Sequence, residues 1–334
     1  MKKHINPFKG FLLLALALSP LLTIAANGDD IEKKRTISKS YTVDADDRLS
    51  IENSFGNVTI STWDKNEILV DIEIGVRASS DEKAKQMLDQ INVEDHQGNK
   101  EISFKTDIGR MSGKNNWDKN DETRKFYVDY KVTLPSKNSL RIENSFGKIS
   151  IPDFAGSASL TSKFGELTTG KISNAKLIQV EFGRADIGKV MNAEVIFKFD
   201  SKASVAGISG ISKVDAEFCS QINLSIDKAA QELNVHESYS TINLRVPANL
   251  SAQFEVYTNF GEFRNKTAYN IPEENGDENS GPKFDKTYSG TTGHGAAKIK
   301  VKSSFGTIRL IDENDQSSNK NDSKDDDDKE KVNL

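Results

Sequence analysis

The chain of 334 residues has little of what stabilises or identifies several common protein classes. It contains a single cysteine, Cys219, so no disulfide can form within the chain and a disulfide-stabilised scaffold is excluded. Only 36% of the residues are hydrophobic, which excludes a protein with several membrane spans. Aromatic residues make up 8%, and a formal net charge of −5 argues against a nucleic-acid partner. The low apolar content favours an elongated protein with a narrow core.

The first 26 residues have the pattern of a secretory signal. Lys2, Lys3 and Lys9 precede the apolar run Phe11–Ile24, which two alanines follow. The run is shorter than the roughly 20 residues that a helix needs to span a bilayer. We therefore predict a cleaved signal peptide at 1–26, with an uncleaved N-terminal anchor as the alternative. The mature chain is then exported to the periplasm or the cell surface and is not an integral membrane protein.

A repeat runs through the rest of the chain. The phrase Ile-Glu-Asn-Ser-Phe-Gly occupies residues 51–56 and 142–147, and looser copies of its aromatic residue follow. Four residues before each aromatic stands an aliphatic residue, and valine or isoleucine at eight of the nine positions favours strands over helices. The nine pairs are Ile51 and Phe55, Ile142 and Phe146, Leu160 and Phe164, Ile178 and Phe182, Val195 and Phe199, Val214 and Phe218, Val235 and Tyr239, Val256 and Phe260, and Val301 and Phe305.

The spacing of the apolar residues predicts which side chains enter the core. The aliphatic and aromatic residues of a copy are four positions apart, so on a strand both would point inward. After the aromatic the period shifts by one residue, as at Val58 and Ile60 or at Ile149 and Ile151. We assign this shift to a corner at which the glycine after the aromatic adopts a positive φ.

Each unit of about 18–21 residues thus consists of two short strands joined by an aromatic-glycine corner. One such unit cannot bury its own apolar face, whereas stacked units can. The sequence therefore predicts an all-β fold, a parallel β-solenoid or β-helix of about nine rungs with a small α+β insertion near the N-terminus. A β-sandwich with coincidental Phe-Gly turns is the alternative.

Three segments are predicted along the chain. The signal peptide covers 1–26, and the β-strand-repeat solenoid domain covers 27–311. The solenoid carries an insertion at 64–139 and a second at 265–295, whose polar and glycine-rich composition predicts an exposed loop. Residues 312–334 carry nine acids and four lysines without apolar periodicity, which predicts a disordered acidic tail.

The first insertion has secondary structure of its own. Alternating apolar residues at 68–76 predict a strand, and Ser79 or Ser80 is the predicted N-cap of a helix that reaches Ile91. Further strands are predicted at 101–106 and 126–134. This module is expected to cap the N-terminal edge of the solenoid, which would otherwise invite pairing with another chain.

The signal peptide, the two Ile-Glu-Asn-Ser-Phe-Gly phrases, the helix-bearing insertion and the later copies together resemble the bacterial "putative-adhesin" family of β-strand-repeat proteins. The resemblance covers roughly residues 36–311. It implies a parallel β-helix, expected to be right-handed, in an exported envelope protein. The family's function is largely unassigned, so the resemblance supplies no catalytic residues.

The search for chemistry assigns no catalytic, cofactor-binding or metal-binding residues, and no cofactor is expected. His96, His236 and His294 lack the spacing of metal ligands and are interpreted as solvated side chains. Cys219 stands after the aromatic, where other copies carry glycine, and is interpreted as a small corner residue rather than a reactive thiol.

Three functions remain open. The leading hypothesis is an exported, non-enzymatic β-solenoid that acts as an adhesin-like interaction scaffold of the cell envelope. It would bind an envelope protein or a polysaccharide through many weak contacts. The first alternative is a carbohydrate-active β-helix enzyme, for which Asp186 and Asp215 would have to converge. The second is a periplasmic envelope-sensing domain with residues 64–139 as the partner-binding part.

Overall fold

Among the residues that it describes, the computed structural model is an all-β protein with one helix. It describes residues 31–109, 125–200, 202–274 and 284–315. The signal peptide predicted at 1–26 and residues 316–334 of the predicted tail lie outside the described residues.

The elements are numbered in chain order. The N-terminal part contains β1 (Ile31–Thr42), β2 (Arg48–Ser54), β3 (Val58–Trp63), β4 (Glu67–Ala78), α1 (Asp81–Gln90), β5 (Asn92–Gly98), β6 (Glu101–Asp107) and β7 (Lys125–Pro135). The middle contains β8 (Ser139–Ser145), β9 (Lys148–Ile151), β10 (Phe154–Lys163), β11 (Glu166–Thr169), β12 (Ile172–Glu181), β13 (Arg184–Met191), β14 (Glu194–Lys198), β15 (Lys202–Glu217), β16 (Ile222–Ser238) and β17 (Thr241–Val246). The C-terminal part contains β18 (Ala252–Asn259), β19 (Glu262–Asn265), β20 (Asp285–Thr292), β21 (Ala297–Ser304) and β22 (Thr307–Asp312).

Two long parallel ladders organise these strands. The first ladder consists of the strands that precede the aromatic residues, in the spatial order β2, β8, β10, β12, β14, β15, β16, β21 and β18. The second ladder consists of the strands that follow them, in the order β3, β9, β11, β13, β15, β16, β17, β22 and β19. The long strands β15 and β16 contribute to both ladders.

The aliphatic residues four positions before the aromatics form one buried column along the first ladder, as predicted. Ile51 pairs with Ile142, Ile142 with Leu160, and Leu160 with Ile178, and the pairing continues in register to Val256. Each of the nine side chains is at most 2% exposed. Like side chains therefore stack on like side chains in the core, which is what the fixed sequence spacing required.

The order of the strands departs from the order of the chain at the C-terminal end. Strand β21 pairs with β16 on one side and with β18 on the other, although β18 precedes it in sequence. Strand β22 likewise lies between β17 and β19. The last two strands of the chain are thus inserted between copies that were expected to be neighbours, because β20 returns antiparallel to β18 and brings the chain back.

The predicted N-terminal module has the predicted elements and caps the ladders. In α1, the Ser80 Oγ accepts the N–H of Lys83, and Ala84 and Met87 are buried. Strand β6 pairs parallel with β2, and β7 pairs parallel with β3, so both ladders are covered at this end. The sequence did not predict β1, which pairs antiparallel with β4, or β5, which pairs antiparallel with β6.

Residues 265–295 are not an exposed loop throughout, which corrects the prediction. Strand β20 occupies Asp285–Thr292 and pairs antiparallel with β18, and Ile271 is 6% exposed. The composition of the segment is typical of turns, but β20 forms because it pairs with β18 in a hairpin. The prediction was therefore wrong here.

Candidate functional site

The most unusual surface feature is a row of exposed aromatic rings along the corner between the two ladders. We call this row the aromatic column. Nine of its ten rings are 46–59% exposed, and Phe55 is half-buried beside Phe126. In spatial order the column consists of Phe55, Phe146, Phe164, Phe182, Phe199, Phe218, Tyr239, Phe305, Phe260 and Phe284.

The rings of the column stack face to face. From Phe55 to Phe260, neighbouring centroids are 4.7–5.3 Å apart and neighbouring planes differ by 1–9°. Each inner ring therefore packs against a neighbouring ring on both sides, and the row turns its ring edges to solvent. Because an aromatic ring is electropositive at its edge and electronegative on its faces, the column presents a continuous electropositive apolar strip.

The outward direction of the rings corrects the sequence analysis. Each of the nine corner aromatics, rather than the residue after it, lies in the left-handed region, with φ between 49° and 62°. This conformation breaks the strand alternation one residue earlier than expected and turns the ring out of the core. It costs roughly 1–2 kcal/mol at each residue, and a stacked pair returns about 0.5–1.5 kcal/mol.

Glycines form the floor of a groove beside the column. A Cβ at Gly165 would lie 2.0 Å from the carbonyl oxygen of Gly147, and one at Gly183 would lie 2.3 Å from that of Gly165. These close approaches exclude side chains and leave a groove of about 400 Å³ lined by Phe164, Phe182, Phe199, the glycines and Arg184. The groove is shallow and open to solvent.

Ion pairs lie on both sides of the groove. On the aromatic side, Lys163 pairs with Glu181 at 3.5 Å and Lys198 with Glu217 at 3.5 Å. On the opposite side, Lys148 holds Glu166 at 2.9 Å, which lowers the pKa of that carboxyl.

Two neighbouring cations on the opposite side are available. Arg184 and Lys202 lie side by side in register on β13 and β15, and both are exposed. Neither forms an ion pair with any carboxylate among the described residues. With Lys148, Arg184 and Lys202 set against Glu166 and Asp186, this side of the groove carries a small excess of positive charge.

Buried polar groups lie beneath the corner. Asp200, which is 2% exposed, accepts the N–H of Gly183 through Oδ1 at 2.8 Å, while its Oδ2 has no hydrogen-bond partner among the described residues. Burial raises the pKa of Asp200 to about 6. Glu237 accepts from Ser240 N–H and Ser303 Oγ, and burial raises its pKa as well. These carboxyls hold neighbouring corners together from inside.

The sequence analysis singled out several residues that the structure places outside this groove. His236 Nδ1 lies 3.1 Å from Asp215 Oδ1, and Asp215 Oδ2 lies 2.7 Å from Lys213 Nζ. Asp186 lies on the second ladder, where it accepts from Ser204 Oγ at 2.9 Å. Asp186 and Asp215 are thus on different ladders and do not form the convergent pair that a glycosidase would need.

The other candidates have ordinary surroundings. His96 is exposed on β5, and His294 is exposed, with its backbone N–H donating to Ser251 Oγ at 2.9 Å. Cys219 is buried, its thiol donates to the Glu217 carbonyl, and burial raises its pKa. Its position agrees with a small corner residue.

Within the described ranges, no group of three or more His, Cys, Asp or Glu side chains is arranged to hold a metal ion. In the same residues, no helix is long and apolar enough to cross a membrane.

No protein-family model matches the chain, and no curated protein is significantly similar to it. Among solved structures, a "putative cell adhesion protein" from Clostridium sporogenes is 13% identical, with 84% of this chain and all of that chain covered and a TM-score of 0.25. A "putative adhesin" from Bacteroides fragilis is 10% identical, with 83% and 97% covered and a TM-score of 0.27. A "putative lipid binding protein" from Parabacteroides distasonis is 11% identical, with 83% and 96% covered and a TM-score of 0.28. These likenesses assign no family, and the family resemblance stays a prediction.

Proposed function

We propose that the chain is an exported, non-enzymatic β-solenoid of about nine rungs that serves as an adhesin-like interaction scaffold of the cell envelope. The two in-register parallel ladders support the solenoid. The observation that carries the function is the aromatic column, a row of ten rings of which nine are about half exposed. Monomeric proteins rarely leave a long contiguous apolar strip open to water unless it contacts something.

Repetition makes the column suitable for binding an extended partner. Each corner presents the same ring edge at the same spacing, so a partner that lies along the column can repeat one weak contact many times. The sum of such contacts gives useful affinity even when each contributes little. The proposed partner is an envelope protein or a polysaccharide.

A binding role also fits the distribution of charge. Several acids outside the column pair with lysines on neighbouring strands, as Glu166 does with Lys148 and Glu181 with Lys163. Such pairs neutralise the ladders rather than gather free carboxylates at one point. The surface is thus arranged as a neutral rod with an apolar strip, which supports a scaffold over a carbohydrate-active enzyme.

The test is binding of the mature chain to isolated envelope fractions, measured by co-sedimentation. In the test variant, Phe164, Phe182 and Phe199 are replaced by asparagine, which is polar and tolerates a positive φ. We expect at least a tenfold loss of binding. Tyr257→Asn is the matched control, because Tyr257 is an exposed aromatic outside the column. Equal binding by the triple variant and the mature chain, with both folded by circular dichroism, would refute the scaffold role of the column.

Localisation is tested separately by protease treatment of intact cells. Surface display predicts cleavage of the protein in whole cells, and a periplasmic location predicts cleavage only after the outer layer is opened. A protein that remains with the cytosolic fraction would contradict export.

A further inference from the structure

The partner of an aromatic strip depends on which part of the rings is free. The rings inside the aromatic column pack against neighbouring rings whose centroids are 4.8–5.0 Å away, so the row turns its ring edges to solvent. What is free is the electropositive edge, which attracts the electron-rich face of another π system in an edge-to-face contact. A flat, unsaturated molecule lying across several ring edges makes one such contact for each ring.

The groove beside the column fixes where such a molecule would lie. Its floor is Gly165 and Gly183, and one wall is formed by Phe164, Phe182 and Phe199. Neither glycine places a side chain in the groove, and a Cβ on either would collide with the backbone of the preceding corner. A long, thin and planar molecule fits this shape better than a branched or globular one.

Charge selects among planar molecules. Arg184 lines the groove, and Lys202 is its neighbour in register. The acid beside Arg184 on the neighbouring strand, Glu166, pairs with Lys148 at 2.9 Å, and Asp186 accepts from Ser204. A guanidinium presents a planar pair of donors that suits a carboxylate, sulfonate or phosphate, and the adjacent lysine adds a second positive charge.

We propose that the groove lined by Phe164, Phe182, Phe199 and Arg184 binds an elongated, planar, π-conjugated anion, with its flat body along the ring edges and its acidic group at Arg184 and Lys202. The inference rests on the proposed function because it uses the same aromatic column, and it adds the chemical class of one ligand.

The test is equilibrium titration of the full mature chain with two planar dyes of opposite charge, Congo red (an anion) and thioflavin T (a cation). We expect one saturable Congo red site for each chain, and at least tenfold weaker binding of thioflavin T. Raising the salt concentration from 50 to 500 mM should weaken Congo red binding severalfold, because the contact with the two cations is screened.

Substitutions separate the two parts of the site. Arg184→Gln with Lys202→Gln should weaken Congo red binding at least tenfold and remove most of its salt dependence. The matched control is Lys163→Gln with Lys198→Gln, which removes the same charge from the opposite side and should change the affinity less than threefold. Phe182→Asn should weaken both dyes.

Three results would overturn the inference: an unchanged affinity for Congo red in the Arg184 and Lys202 variant, equal binding of the two dyes, or many Congo red molecules for each chain. The Arg184 and Lys202 variant keeps the column intact, so it should still bind envelope fractions. If it does so while Congo red binding proves insensitive to the cations, only the ligand assignment fails. If envelope binding survives the loss of the column rings, the proposed function fails instead.

Discussion

Asp200 gives a stability prediction whose size follows from its environment. Burial raises its pKa from 3.8 to about 6, and one of its oxygens has no hydrogen-bond partner among the described residues. The folded state therefore holds a proton that the unfolded state releases between about pH 4 and pH 6. Because the folded state binds more protons in this window, the free energy of unfolding falls as the pH rises through it. A shift of about two pKa units corresponds to about 3 kcal/mol.

The perturbation is Asp200→Asn, which keeps an oxygen to accept the N–H of Gly183 and removes the ionisation. The assay is urea unfolding of both proteins between pH 4 and pH 7.5, followed by circular dichroism. We expect the stability of the variant relative to the natural chain to rise by up to about 3 kcal/mol across this range. The comparison across pH cancels any constant effect of the new amide group.

Asp186→Asn, an exposed change on the second ladder, is the control for loss of a carboxylate. A stability difference between Asp200→Asn and the natural chain that stays constant within about 0.5 kcal/mol from pH 4 to pH 7.5 would refute the reasoning. That result would mean that the carboxyl of Asp200 is as well solvated in the folded chain as in water.

Three further predictions test the corner itself by denaturant unfolding. Gly165→Ala should lower the free energy of unfolding by about 1–3 kcal/mol, because the new Cβ would collide with backbone atoms. Gly98→Ala is the control and should lower it by less than about 0.5 kcal/mol, because its Cβ meets only a movable side chain. Equal losses would contradict the close approach at Gly165. Phe182→Ala removes two stacking contacts and should lower the free energy of unfolding by about 1–3 kcal/mol. Phe182→Gly should lower it by about 1 kcal/mol less, because glycine adopts the φ of 55° at this position freely. The reverse order would exclude backbone strain at the corner. Ser303→Ala should cost about 1–3 kcal/mol by removing a donor from the buried carboxylate of Glu237, and an unchanged midpoint would show that the bond contributes nothing.

The sequence predicted the core better than the corner. The aliphatic residue four positions before each aromatic is a local pattern, and its pairing from Ile51 to Val256 follows from stacking like units. The direction of the rings was missed because glycine was assumed to be the left-handed residue. The signal against that assumption was present: Asp200, Cys219 and Ser240 replace the glycine at three corners, whereas an aromatic stands at every one.

Non-local pairing explains the other misses. The insertion of β21 between β16 and β18 depends on where a returning hairpin places the chain, and no pattern within β21 records it. The groove was likewise not predicted, because its parts come from different copies. Arg184 and Lys202 are ordinary surface cations in the sequence and become neighbours only through the register of β13 and β15.

The position of β21 and β22 has a consequence for the order in which the chain is completed. The N-terminal copies can add to one another in chain order, since each pairs with the copy before it. Near the C-terminus this stops, because the partner that β16 and β18 share is made last. A chain cut short before Ala297 would leave two unpaired strand edges facing each other across a missing strand, and such edges recruit strands from other molecules. Only a chain that includes β21 and β22 therefore pairs its C-terminal strands within one molecule, whereas a shorter chain exposes edges that pair with another molecule.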